Sequence, residues 1–196
     1  MSRLATLAAV VLVVSACGTR TGPSPVRHVT GILVTAERIG SLRIDVSTQA
    51  DVRAFAGRRG AALIHDKTSW PGVPSYTAYG YGCPRATGPG SIYPTVQGCR
   101  TVYYINNRTH RFVAFYTDSP RFHTVSGIRP GMPRSDAVVR EHSTPGGPLA
   151  AIVRRSKQST LAIEFDCSHP GPGCGLDHVS SLGIESRQQP IGLLYT

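Results

Sequence analysis

The chain has 196 residues and a formal net charge of +10, with 21 Lys and Arg against 11 Asp and Glu, which bounds it at one medium domain or two small ones sharing a core. The basic residues are scattered, and only Arg58-Arg59 and Arg154-Arg155 stand as adjacent pairs. This pattern lacks the concentrated basic face of a nucleic-acid binder and points instead toward anionic headgroups or acidic wall polymers, an attraction that falls with added salt.

At the N-terminus, Met1-Ser2-Arg3 carries one positive charge and Leu4 to Val14 is an uncharged stretch of eleven residues. A membrane-spanning helix needs roughly 20 apolar residues, so this stretch reads as the core of an export signal. The residues that follow, Val14-Ser15-Ala16-Cys17-Gly18, resemble the lipobox of bacterial lipoproteins. The resemblance implies removal of residues 1–16 and a diacylglyceryl thioether on Cys17. It also implies a body held at the extracytoplasmic side of the cell membrane by its lipid anchor, because two or more acyl chains bind stably where one does not. Residues 17–28 are the lipidated cysteine and a small, polar, Pro-broken tether.

Val29 to Val34 is apolar, and Ser41 to Val46 alternates Leu42, Ile44 and Val46 on one side, as a strand does. Thr48 followed three residues later by Asp51 is a capping-box start; Val52, Phe55 and Ala56 give an apolar face, and Gly57 a stop. A helix of about three turns is expected there. Ala61 to His65, Tyr76 to Gly82, Thr101 to Ile105 and Arg111 to Thr117 read as strands, the last two joined as a hairpin through Asn106 to His110, where the Asn residues can take positive φ. A second turn at Ile128 to Asp136 opens a helix over Ala137 to His142. Leu149 to Arg155, Ser159 to Asp166 and His178 to Glu185 complete the strands.

Leu42-Arg43 and Val52 fall on Ile128-Arg129 and Val138 at an offset of 86, and Ala61-Ala62-Leu63-Ile64 on Ala150-Ala151-Ile152-Val153 at an offset of 89. These matches suggest an internal repeat. Ile128, Gly131, Met132 and the acid-capped helix start at Asp136 resemble the tandem modules of beta-lactamase inhibitor proteins and the related small outer-membrane assembly lipoproteins. The first copy departs from that motif, with Asp45 and Val46 near the expected glycine. The resemblance implies an α+β fold of two tandem units, residues 29–121 and 122–196, each a short helix packed on an antiparallel sheet. It also implies a module that works by binding another protein.

Apart from Cys17, the chain has Cys83, Cys99, Cys167 and Cys174, an even number that favours disulfides in an exported protein. Three pairings are possible; the local one, Cys83 with Cys99 and Cys167 with Cys174, is favoured because each pair flanks a Gly/Pro-rich loop. Closing a loop of about 15 residues stabilises by up to about 3 kcal/mol. Cys167, His169, Cys174 and His178 place four potential metal ligands within 12 residues, enough for tetrahedral zinc, but exported thiols are usually oxidised and the disulfide reading is preferred. No metal or cofactor is assigned. Tyr79 and Tyr81 share one strand face and form a candidate contact patch if that face is outward, or sheet core if inward.

The GxSxG, HExxH and GxxxxGK patterns are all missing. Asp66, Asp118, Glu164 and Asp166 lie in or near strands, and a catalytic pair among them would need a cleft. The resulting expectation is a non-enzymatic cell-envelope lipoprotein that binds a protein or wall component and no nucleic acid. The alternatives are an inhibitor of a secreted enzyme, or an extracytoplasmic hydrolase with an unrecognised site.

Overall fold

Side chains alternate between the two faces of a strand, and five strands of this protein are buried on both. The computed structural model describes residues 31–57, 61–66 (backbone), 75–83, 99–143, 151–165 and 177–194. In chain order the strands and helices are β1 (Ile32–Val34), β2 (Arg38–Ile39), β3 (Leu42–Arg43), α1 (Gln49–Ala56), β4 (Ala61–Asp66), β5 (Tyr76–Tyr81), β6 (Thr101–Asn106) and β7 (Phe112–Thr117). They continue with β8 (Phe122–Thr124), α2 (Arg134–Glu141), β9 (Ala151–Arg155), β10 (Ser159–Glu164) and β11 (Ser181–Ser186).

The long strands form one seven-stranded antiparallel sheet in the order β4-β5-β6-β7-β11-β10-β9. The short ones form a four-stranded sheet, β3-β2-β1-β8, in which β1 and β8 run parallel with Ile32 opposite Phe122. One face of the large sheet carries Tyr79, Tyr103, Phe115, Leu161, Ile163, Leu182 and Ile184; they pack in one core with Val52 of α1, Ala137 of α2, and Val34, Ile39, Leu42 and Phe122 of the small sheet. The opposite face carries Ala78, Val102, Tyr104 and Ala114, covered in part by Ile191 and Leu193 of the C-terminal segment.

This arrangement corrects the α+β expectation of two tandem helix-on-sheet units. The protein is mostly β, and among the described residues its helices are two eight-residue segments. Strand β11 pairs directly with β7, Ile184 opposite Phe115 and Glu185 opposite Ala114, so the sheet runs unbroken from one half to the other. β8 likewise pairs back onto β1. The helices begin 85 residues apart, at Gln49 and Arg134, yet the large-sheet strands after them number four and three and share one sheet, while β8 joins the small one.

Local chemistry accounts for the helix boundaries. Thr48 caps α1: its hydroxyl accepts from Asp51 N–H at 3.3 Å, while the Asp51 carboxylate accepts from Thr48 N–H at 2.7 Å. The helix is nearer two turns than three. α2 lacks the acid cap expected of it; Pro133 at its N-cap offers no side-chain acceptor, and Arg134 N–H donates to the Asp177 carbonyl at 2.7 Å. In the β6–β7 turn the positive φ falls on His110 rather than on an asparagine. Asn106 Oδ1 accepts from Arg108 and Thr109 N–H at 2.8 and 3.0 Å, an Asx turn.

Candidate binding cleft

The Tyr79–Tyr81 face, a contact patch if outward and sheet core if inward, is turned inward. Tyr79 is buried beneath α1, bonded to the Gln49 side chain and lying 5.6 Å from the Arg53 guanidinium. Tyr81 donates its hydroxyl to the Gly57 carbonyl at 3.0 Å and meets Tyr103 edge-on at 5.6 Å. Both residues therefore belong to the packing between helix and sheet, where aromatic area and a satisfied hydroxyl hold α1 in place.

The Cys83–Cys99 disulfide is present and lies over the face opposite α1, its sulfurs close above Gly80. Cys17, Tyr93, Cys167, His169 and Cys174 lie outside the described residues. His178 is exposed and its backbone bridges to Pro133. Among the described residues no group of three or more His, Cys, Asp and Glu could hold a metal ion.

The strand acids are committed to separate partners. Asp118 pairs with Arg100 at 3.1 Å on the surface. Glu164 is buried and accepts from the Ser181 hydroxyl. Beside them, burial first, and then the charges of Asp118 and Glu164, push the Tyr116 phenol up to about 12. Asp66 is described by its backbone alone, and Asp166 lies outside the described residues.

An open cleft lies elsewhere on that face, at the β9–β10–β11 end. Arg155, Thr160 and Glu185 stand side by side across three strands, since Thr160 pairs with Arg155 on one side and with Glu185 on the other. Together with Arg187, Pro190 and Leu194 they line a space of about 370 Å³. Sequence reasoning noted Arg155 only as half of a basic pair and passed over Glu185 and Arg187. A usable signal was the alternation Leu182, Ile184 against Gly183, Glu185, which sends the glutamate to the face opposite the core.

Glu185 organises the cleft floor. Its Oε1 accepts from the N–H groups of Ile191, Gly192 and Leu193 at 2.5, 2.7 and 3.1 Å, and its Oε2 from Leu194 N–H at 2.9 Å. Four backbone donors thus satisfy a carboxylate that is only 5% exposed, the condition under which a buried charge is tolerated. The segment 191–194 is folded back onto the sheet by this contact. Leu194 can close over β11 because residue 183 is glycine; a Cβ there would stand 2.7 Å from Leu194 Cδ2.

The two arginines keep their charge for other uses. Among the described residues the ion pairs are Arg100–Asp118 and Arg154–Glu141, so neither Arg155 nor Arg187 is paired. Arg187 Nη1 donates to the Ser156 carbonyl at 3.0 Å, which fixes its guanidinium on the β9–β10 hairpin. With a hydroxyl, two guanidiniums and a carboxylate that already accepts four N–H donors, the described lining of the cleft is suited to an anion.

No family model and no curated protein matches the chain. Among solved structures, that of the uncharacterized protein yfeY from Escherichia coli is similar over 81% of this chain and 100% of that one, at 13% sequence identity and a TM-score of 0.42.

Proposed function

We propose that this protein is a lipid-anchored component of the cell envelope that works by binding a protein or wall component rather than by catalysis. The observation that carries the proposal is Val14-Ser15-Ala16-Cys17 placed directly behind an eleven-residue uncharged stretch and a single arginine. An acylated Cys17 would hold the body on the outer side of the membrane through the tether of residues 18–28, leaving the cleft on the sheet free to meet its partner. No helix among the described residues is long and apolar enough to cross a membrane.

The test is metabolic labelling with an alkyne fatty acid in cells producing the full chain or its Cys17→Ala variant. The wild-type chain should carry the label and the variant should not. A wild-type chain without label, or a variant labelled equally, overturns the proposal.

A further inference from the structure

We infer that the Arg155–Arg187 cleft binds a phosphodiester monoanion. The inference rests on the binding reading above and names the ligand class for that site. Strand alternation separates the adjacent arginines: Arg154 turns to the helix-bearing side and pairs with Glu141 of α2 at 2.7 Å, while Arg155 faces the cleft without an acidic partner among the described residues. Glu185 is the acid nearest in the sheet row, two strands away beyond Thr160. Its oxygens are already taken by the four N–H donors of residues 191–194. The acid that could have neutralised the arginines is held by backbone instead.

The local balance of Arg155, Arg187 and Glu185 is therefore one positive charge, which matches a monoanion better than a dianion. The guanidiniums come from different elements, Arg155 from the edge strand and Arg187 from the turn after β11. Two such groups suit the two non-bridging oxygens of a tetrahedral phosphodiester, one each, whereas a planar carboxylate is satisfied by a single guanidinium fork. Thr160 adds a hydroxyl that donates or accepts beside them. A space of about 370 Å³ lies at the small end of ligand sites, enough for a headgroup and too little for a folded segment. A phospholipid headgroup and a polyol-phosphate polymer both present this chemistry.

The experiment titrates the full chain, purified in a non-ionic detergent, with glycerophosphoglycerol by calorimetry. Saturable binding is expected, weakened about tenfold in Arg155→Gln and unchanged in Arg154→Gln, whose guanidinium lies on the other side. Acetate at equal ionic strength should not compete. Displacement of the probe by micelles of the same detergent containing phosphatidylglycerol assigns the site to a lipid headgroup, and lack of displacement assigns it to a soluble or polymeric phosphodiester. No saturable heat, equal affinity in Arg155→Gln, or full competition by acetate overturns the inference. The titration requires no acylation, so a failure of the Cys17 proposal and a failure of the cleft are seen separately.

Discussion

Replacing Glu185 by Gln removes one charge and one acceptor from a site built around both. The amide oxygen can keep the three donors now on Oε1, from Ile191, Gly192 and Leu193. Its NH2 group then faces Leu194 N–H, which loses the 2.9 Å bond to Oε2. An orphaned buried donor costs about 1–3 kcal/mol, and the three remaining bonds fall from charge-assisted to neutral strength, about 1 kcal/mol each at most. Relief of the buried charge offsets part of this. The expected net loss is about 2–4 kcal/mol, a large share of the roughly 5–15 kcal/mol that holds a domain folded. Urea unfolding would read the loss as a lower midpoint at unchanged slope, and amide hydrogen exchange should show residues 191–194 opening at least about tenfold more often. A stability within about 0.5 kcal/mol of wild type, with unchanged protection at 191–194, would refute the view that this carboxylate holds the C-terminal segment on the sheet.

Asp45 sits at φ 60° and accepts from Ser186 Oγ at 2.8 Å and Gln189 Nε2 at 3.1 Å; burial raises its pKa above the ordinary 3.8, partly countered by the Ser186 hydrogen bond. A raised carboxyl favours the folded state only when protonated, so wild type should gain stability relative to Asp45→Asn as pH falls from about 7 toward about 4 in denaturant titrations; the opposite slope would contradict the assignment. Gly80 lies under the disulfide, where a Cβ would stand 2.6 Å from Cys99 Sγ and 2.9 Å from Cys83 Sγ. Gly80→Ala should therefore cost about 1–3 kcal/mol, and most of that cost should vanish in a Cys83→Ala/Cys99→Ala background, a coupling that a double-mutant cycle measures directly.

The features legible in the sequence are those whose partners stand close along the chain. The Thr48–Asp51 box spans four residues, the β6–β7 hairpin closes over a short turn, and Cys83 and Cys99 flank one loop. Features that depend on distant segments were not legible. Nothing local in Ile184 announces that it will stand opposite Phe115, or in Phe122 that it will pair with Ile32, and those two contacts join the expected pair of units, the first through the large sheet and the second through the small one. β2 has two residues, too few for a period to register, and of the alternation expected over Ser41 to Val46 only Leu42–Arg43 forms a strand. The Tyr79–Tyr81 alternation was visible, but its direction is set by α1 lying over it. The binding cleft was hidden for the same reason, since its floor exists only after residues 191–194 return to Glu185.

Intact mass spectrometry of the chain isolated from its native envelope tests the central claim most directly. The account predicts a polypeptide that begins at Cys17 and carries the added mass of a diacylglyceryl group, with or without a third acyl chain. An unacylated chain that retains residues 1–16, recovered from the soluble cell contents, would contradict it.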